Sequence, residues 1–219
     1  MNEHKNTGWL RILYRYYTKI SPSFLKRLRD EIDGCSSILD VGCGENSPLR
    51  WIKNKPYCVG VDAHKDAIKK SKKKKIHNKY IQLDLLKLDF ASKSFDCVVA
   101  LDVLEHFEKE DGYRFLRKIE KIAKKKVIVF TPNGFLKQGI INKNPYQVHK
   151  SGWSVKEMKK RGYKVYGING WKPLRGEFAK IKLKPGRFWL VVSKMTELVT
   201  NWIPVLSFQI FCVKIIENC

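Results

Sequence analysis

The chain has 219 residues, enough for one medium-sized α/β domain. It contains 44 Lys and Arg residues against 21 Asp and Glu residues, which gives a formal net charge of +23. Because 43% of the residues are hydrophobic and 12% are aromatic, the chain can bury a real core, and this excludes the disordered, collagen-like and coiled-coil classes.

Short apolar runs alternate with polar stretches of helical character along the chain. Seven strands are predicted, at Ser37–Val41, Tyr57–Val61, Tyr80–Leu83, Phe95–Leu101, Val127–Phe130, Tyr163–Ile168 and Ser207–Ile216. Helices are predicted between them, near Ser47–Lys53, Ala63–Lys75, Lys109–Ala123 and Ser154–Arg161. This alternation is typical of βαβ units, so it predicts an α/β fold with a largely parallel sheet and helices on both faces.

Two segments fall outside this alternation. Residues Gly8–Asp33 are expected to form one or two helices that break at Ser21-Pro22, because the residue before a proline is pushed out of helical geometry. The segment Trp171–Leu206 is too long for a bare loop and is expected to contain a helix around Phe188–Trp202.

A glycine-containing turn follows the first predicted strand, within the sequence ILDVGCGENSPL at Ile38–Leu49. Gly42 and Gly44 can adopt positive φ angles and allow a close approach of the backbone to a ligand. Ser47 followed by proline is a plausible helix start, and a helix N-terminus offers unpaired N–H donors. A G-x-G sequence by itself is also compatible with a plain turn between a strand and a helix.

Three consecutive predicted strands end at an aspartate, namely Asp40, Asp62 and Asp84. The carboxyl ends of parallel strands meet at one edge of the sheet, where open α/β sheets bind their ligands. A carboxylate at the end of the second strand can accept hydrogen bonds from both hydroxyls of a ribose. A carboxylate at the end of the third could accept from the exocyclic amine of adenine. The sequence therefore predicts a nucleoside site at this edge.

Taken in order, these segments resemble the motifs of class I S-adenosylmethionine-dependent methyltransferases. ILDVGCGEN resembles the first motif, GVDAH the second, QLDLLKLDFASKSFDCVVALDVLEHF the adenine-binding and post-adenine segments, and VIVFTPNG the fifth strand with its turn. The resemblance spans about Ser37–Ile168 and implies a Rossmann-like, seven-stranded sheet whose antiparallel last strand, at Phe208–Ile215, lies beside the fifth. A dinucleotide oxidoreductase would need a third glycine where this chain has Ser47.

The resemblance implies S-adenosyl-L-methionine as the cofactor and a set of residues that bind it. The set is Asp40, Gly42, Gly44, Asn46, Asp62, Asp84, Leu85 and Leu101. By this resemblance Asp62 binds the ribose, and Asp84 with Leu85 binds the adenine. Asn46 stands where the family usually has a third glycine, and Asn tolerates left-handed geometry better than other non-glycine residues. The chain is expected to be a single methyltransferase domain, with an N-terminal helical extension at 1–34, a cofactor-binding core at 35–170, a helical insertion at 171–206 and a last strand at 207–219.

A second cluster of polar residues follows the fourth predicted strand. LDVLEHF contains Asp102, Glu105 and His106, and His149 could join them from the loop after the fifth strand. These residues could hold a divalent cation such as Mg²⁺ or act as acid–base groups, and His106 and His149 are the candidate catalytic bases. The segment resembles the E-x-x-E-H segment of ubiquinone-biosynthesis O-methyltransferases and of small-RNA 2′-O-methyltransferases, with Asp102 in place of the first Glu. A hydrogen-bonded pocket wall without a metal is the other interpretation.

The sequence leaves the methyl acceptor open. The expected function is methyl transfer to a small-molecule or lipid-linked acceptor, at oxygen. The alternatives are an RNA methyltransferase that uses the basic surface and a non-enzymatic, basic surface-binding protein with an inactive cofactor fold. Trp9, Tyr16 and Tyr17 in the extension, and the hydrophobic insertion at 171–206, are the candidate walls of the acceptor pocket.

The cysteines and the apolar segments predict a cytoplasmic protein. None of the six cysteines belongs to a C-x-x-C pair, no secretory signal opens the sequence, and the longest uncharged stretch, Leu198–Val213, is too short and too interrupted to span a bilayer. The aromatic, basic N-terminal segment and the sequence RFWLVVSKMTELVTNWIPVL are compatible with peripheral contact with an anionic membrane surface. A solvated, lysine-rich surface would account for the charge equally well.

Overall fold

Seven strands form one sheet in the computed structural model, which describes residues 23–139 and 145–217. The strands are β1 (Ser37–Val41), β2 (Tyr57–Asp62), β3 (Lys79–Gln82), β4 (Phe95–Leu101), β5 (Ala123–Pro132), β6 (Lys164–Trp171) and β7 (Ser207–Ile215). Their order is β3-β2-β1-β4-β5-β7-β6. The first five pair in parallel, and β7 lies antiparallel between β5 and β6. The predicted Rossmann-like sheet with an antiparallel last strand is confirmed.

Five α-helices accompany the sheet within the described residues. They are α1 (Phe24–Ile32), α2 (Lys65–Lys73), α3 (Lys109–Ile122), α4 (Val155–Lys160) and α5 (Gly186–Thr200). Two apolar clusters cover the two faces of the sheet, one built around α3 and α4 and the other around α1. The central strands are buried on both faces, which explains their continuous apolar runs in the sequence. None of these helices has both the length and the apolar run needed to cross a membrane.

The structure differs from the sequence-based expectation after β1. The helix expected near Ser47–Lys53 is only a 3₁₀ turn at Pro48–Trp51, capped by the Ser47 hydroxyl, which accepts a hydrogen bond from the N–H of Leu49. The turn ends because Ile52 adopts an extended conformation and inserts its side chain into the α1-side cluster. In the Gly8–Asp33 segment, α1 forms the second expected helix, and the first lies outside the described residues.

The helix α5 lies directly against β6 at the edge of the sheet. This contact depends on two glycines in β6, because a Cβ atom added at Gly167 would lie 1.9 Å from the carbonyl oxygen of Thr200. A Cβ atom at Gly170, where φ is +68°, would lie 2.1 Å from the carbonyl oxygen of Ser193. The helix expected around Phe188–Trp202 therefore exists, and its backbone lies in direct contact with the strand.

Candidate active site

The carboxyl ends of β1, β2 and β4 open on a cavity of about 640 Å³. Its walls include every member of the predicted cofactor-binding set, namely Asp40, Gly42, Gly44, Asn46, Asp62, Asp84, Leu85 and Leu101. The segment after β4 adds Asp102, Val103 and His106. The loop after β5 adds Tyr146, Gln147 and Lys150, which the sequence analysis did not single out. The structure thus brings the predicted cofactor residues to one cavity.

The glycine turn after β1 is closed onto β2 by backbone hydrogen bonds. Gly42 has a φ of +73°, and its N–H donates to the carbonyl oxygen of Val61 at 2.7 Å. A Cβ atom at Gly42 would lie 2.3 Å from a side-chain methyl of Val103, so both the backbone angle and the packing require glycine here. Gly44, with a φ of +55°, donates its N–H to Asp62 Oδ2 at 2.8 Å.

The Asp62 carboxylate connects the glycine turn to the segment after β2. Its Oδ2 accepts from the N–H of Gly44, and its Oδ1 accepts from the N–H of His64 at 2.8 Å. Burial raises the pKa of Asp62, and the two N–H donors partly oppose that shift. Each carboxylate oxygen can accept more than one hydrogen bond, so Asp62 retains acceptor capacity for a ligand in the cavity.

Asp40 is buried beneath the glycine turn and pairs with His77, a residue that the sequence analysis did not identify. His77 Nε2 lies 2.8 Å from Asp40 Oδ2, and the side chains are 0% and 2% exposed. The Ser47 hydroxyl donates to the same carboxylate oxygen at 2.5 Å. Gly60 on β2 leaves room for the imidazole, because a Cβ atom there would lie 2.8 Å from His77 Nδ1. Asp40 therefore also supports the floor of the cavity.

Asp84 lies at the outer rim of the cavity and is exposed. Its Oδ1 accepts from the N–H of Leu86 at 3.0 Å and so caps the 3₁₀ turn Leu85–Lys87. This cap holds the buried side chain of Leu85 against the cavity.

Three residues of the second predicted cluster form a compact group in which each offers a metal-ligand atom. Those atoms of Glu105, His106 and His149 all lie within 4.8 Å of one another. His106 Nδ1 is 3.1 Å from the carbonyl oxygen of Val148, and His149 Nδ1 is 2.6 Å from that of Leu136. Because a carbonyl oxygen can only accept, each Nδ1 carries the proton and each Nε2 keeps a free lone pair.

Asp102 is not part of this group, contrary to the sequence-based expectation. It has a left-handed backbone conformation, with a φ of +54°, and its Oδ1 accepts a hydrogen bond from Gln209 Nε2 of β7 at 3.2 Å. The geometry therefore leaves one carboxylate and two imidazoles in the cluster.

Burial controls the protonation of the cluster. It lowers the pKa of His106 to about 4 and also lowers the pKa of His149, so both imidazoles are neutral at pH 7. Burial raises the pKa of Glu105 well above its usual range, and the negative charge of Asp102 adds to this shift. Glu105 Oε2 accepts from the Thr131 hydroxyl at 2.9 Å, so one oxygen is already oriented.

Of the two segments expected to line the acceptor pocket, the one that the structure describes lies elsewhere. The residues that line the cavity fall between Asp40 and Lys150, so the helical insertion at 171–206 does not form its wall. The reason is that α5 packs on β6, at the edge of the sheet, whereas the cavity opens at β1, β2 and β4. Trp9, Tyr16 and Tyr17 lie outside the described residues.

Comparisons with known proteins agree with this fold. A family model described as a methyltransferase domain matches residues 39–131. The uncharacterized protein MJ0638 of Methanocaldococcus jannaschii is 24% identical over 180 residues, which cover 70% of this chain and 76% of that protein.

Two solved structures illustrate how far the fold is shared. A SAM-dependent methyltransferase from Archaeoglobus fulgidus is 20% identical, with a TM-score of 0.57 over 93% of this chain and 99% of that one. Magnesium protoporphyrin IX methyltransferase (ChlM) from Synechocystis PCC 6803, solved with bound SAM, is 13% identical, with a TM-score of 0.51 over 99% and 87%.

The match identifies residues 39–131 as a methyltransferase domain, and the fold around them is the Rossmann-like fold of S-adenosylmethionine-dependent methyltransferases. The chain is accordingly an enzyme whose methyl donor is S-adenosyl-L-methionine.

Proposed function

We propose that this enzyme transfers the methyl group to an oxygen atom of a small-molecule or lipid-linked acceptor. The observation that carries the proposal is that one cavity is lined both by the residues predicted to bind the cofactor and by the neutral imidazole of His106. An oxygen acceptor such as a hydroxyl must lose a proton during the transfer, and a neutral imidazole at the cavity wall can accept it.

In this proposal the cofactor follows the rim of the cavity. Asp62 binds the ribose hydroxyls, while Asp84 and Leu85 contact the adenine. The glycine turn, with Asp40 and Asn46, holds the methionine part, and Leu101 closes the cavity from β4. Two observations support this arrangement. Carboxylates that can accept hydrogen bonds meet at the ends of adjacent strands, and the glycine turn beside them lets a ligand come close to the backbone.

The transfer itself needs little from the protein, because the sulfonium is already activated. The acceptor oxygen attacks the methyl carbon, the carbon–sulfur bond breaks with its electrons going to sulfur, and S-adenosylhomocysteine forms. The proton of the acceptor hydroxyl passes to His106 Nε2. The enzyme contributes by aligning the oxygen with the methyl carbon and by excluding water.

We also propose that Glu105, His106 and His149 bind a divalent cation. Two imidazole nitrogens and one carboxylate suit a transition metal such as Mn²⁺, Fe²⁺ or Zn²⁺ better than Mg²⁺, which prefers oxygen ligands. The Nδ1–carbonyl hydrogen bonds support this, because they orient both Nε2 lone pairs. When bound, such a cation would lower the pKa of an acceptor hydroxyl and take over the role of the base.

The function is tested with radiolabelled donor and acceptors from lipid and small-molecule fractions of a cell extract. We expect methyl incorporation that falls about 10²- to 10⁴-fold in His106→Ala, the range for loss of an acid–base group. Binding of S-adenosylhomocysteine by this variant should be unchanged, which serves as the control for folding. Full turnover by His106→Ala, or label only in nitrogen- or carbon-linked products, would contradict the proposal.

Metal dependence is tested separately. Calorimetric titration of the chelator-treated protein with MnCl₂, ZnCl₂ and MgCl₂ should show binding of the first two, and Glu105→Gln should weaken it at least about 10-fold. If chelation changes neither metal content nor turnover, His106 acts as a base without a cation.

An RNA acceptor is the second candidate, and specific residues favour it. The lysine tract at Lys69–Lys75 reaches the cavity, because Lys70 lines it and Lys74 Nζ donates to Asn46 Oδ1 at 2.6 Å. Lys150 lines the cavity as well. The positive charges of these lysines at the cavity would attract the phosphate groups of RNA. Electrophoretic mobility shifts over a salt series distinguish the candidates, and an RNA affinity that disappears at physiological salt would exclude this one.

A further inference from the structure

The polar side of helix α5 faces the protein, and its apolar side lies on the surface. Ser193, Glu197 and Thr200 on this helix are buried, with exposed fractions of 0%, 7% and 1%. Arg175 Nε donates to the Ser193 hydroxyl at 3.0 Å, and the N–H of Trp171 donates to the Thr196 hydroxyl at 2.9 Å. Hydrogen bonds therefore hold the polar side of α5 against β6 and its flanking turn.

The opposite side of α5 is apolar and exposed. Its residues recur at helical spacing and, with Trp202 in the turn just after the helix, form what we call the α5 ridge: Phe188 (58% exposed), Val191 (59%), Met195 (64%), Val199 (53%) and Trp202 (72%). The turn that follows extends this surface with Ile203 and Val205, which are 51% and 65% exposed. A helix on a water-facing surface normally has the reverse arrangement, so the ridge indicates an apolar partner.

Exposed cationic residues lie in the same segment of the chain as the ridge. Between residues 180 and 206 the sequence contains Lys180, Lys182, Lys184, Arg187 and Lys194, and the one acidic residue is Glu197. Glu197 belongs to the buried side of α5 and lies 3.9 Å from Lys194 Nζ, so it offsets the charge of Lys194 alone and leaves the other four cations in excess. An apolar ridge with a cationic border and an exposed tryptophan matches the boundary region of an anionic bilayer, where Trp lies at the headgroup level.

We propose that the α5 ridge binds the surface of an anionic lipid bilayer, with the helix parallel to the membrane plane. The ridge enters the boundary between headgroups and acyl chains, and the bordering cations contact lipid phosphates. A second copy of this chain is a poorer partner, because its own cationic border would be brought against this one in a protein of net charge +23. The proposal does not depend on the proposed methyl acceptor.

Vesicle co-sedimentation of the full chain tests the proposal. At physiological salt we expect binding to vesicles of phosphatidylcholine mixed with phosphatidylglycerol, and much weaker binding to phosphatidylcholine alone. Trp202→Ala and Met195→Gln should each weaken binding about 10-fold, because each removes apolar area from the ridge without changing charge. Trp51→Ala is the matched control, since Trp51 is 65% exposed on the 3₁₀ turn after β1 and should bind like the wild type.

Thermal unfolding of each variant confirms that it is folded before it is compared. Equal binding by wild type and Trp202→Ala would overturn the proposal, because the affinity would then come from the lysines in general. Absence of binding to the anionic vesicles would overturn it as well. A concentration-dependent dimer that Met195→Gln abolishes would show that a second copy covers the ridge instead.

Discussion

Around the cavity, the carboxylates of Asp62 and Asp84 accept hydrogen bonds from the backbone N–H groups of tight turns. Around α5, polar side chains are instead buried against a strand, and apolar ones face outward. In the first region a ligand-sized space is left between strand ends, whereas in the second the backbone of the helix lies directly against the strand at Gly167 and Gly170. The comparison shows that one sheet can carry a ligand-sized cavity at its centre and an exposed apolar helix surface at its edge.

The close contact between α5 and β6 gives the largest expected effect. Gly167→Val would place side-chain atoms where the carbonyl oxygen of Thr200 now lies, so α5 must move away from the strand. We expect the free energy of unfolding to fall by about 4 kcal/mol in urea denaturation, at the upper end for overpacking. Gly186→Ala is the control, because a Cβ atom there meets nothing within 4 Å, and we expect a change below about 0.5 kcal/mol. A stable Gly167→Val variant would mean that α5 does not pack on β6.

The Asp40–His77 pair gives the next largest effect, in the cavity region. His77→Ala leaves the Asp40 carboxylate buried without its imidazole partner. We expect a loss of about 3 kcal/mol in the free energy of unfolding, because an isolated buried charge is costly. The affinity for S-adenosylhomocysteine should also fall, since Asp40 and Ser47 line the cavity. His64→Ala is the comparison for stability, because the His64 side chain makes no capping hydrogen bond. Equal stability of the two variants would show that the pair is dispensable.

Substitutions on the buried polar side of α5 should have the smallest effects on stability. They compare a buried hydroxyl that is hydrogen-bonded with one that is not. Ser193→Ala removes the acceptor of Arg175 Nε and should cost about 1.5 kcal/mol. Within the described residues the Thr200 hydroxyl has no hydrogen-bond partner, so Thr200→Val should be neutral or slightly stabilising. Urea denaturation of both variants measures the difference. The reverse order would contradict the account of α5 as a helix held by its polar side.

The part of the site that the sequence could predict acts through local backbone geometry. Gly42 is recognisable because a turn with positive φ needs glycine, and Asp62 because a residue at the end of a parallel strand must lie at the ligand edge. These relations depend on position along one or two strands, so the order of motifs was sufficient to predict the sheet and its cavity.

The features that the sequence could not predict depend on contacts between distant parts of the chain. His77 pairs with Asp40 only because Gly60, on the intervening strand, leaves space for its ring. Asp102 accepts a hydrogen bond from Gln209 of the distant strand β7 and is absent from the cluster to which its spacing assigned it. For α5, the apolar periodicity predicted a helix but could not tell which side faces the protein. That choice is made by the glycines of β6 and by the side chain of Arg175.

Calorimetric titration with S-adenosylhomocysteine tests most directly whether the cavity is the cofactor site. We expect the wild type to bind at one site and Asp62→Ala to lose about 100-fold in affinity, as for loss of hydrogen bonds to a charged acceptor. Asp66→Asn, at an exposed acid on α2, should bind like the wild type. Absence of binding by the folded wild type, or undiminished binding by Asp62→Ala, would contradict the account.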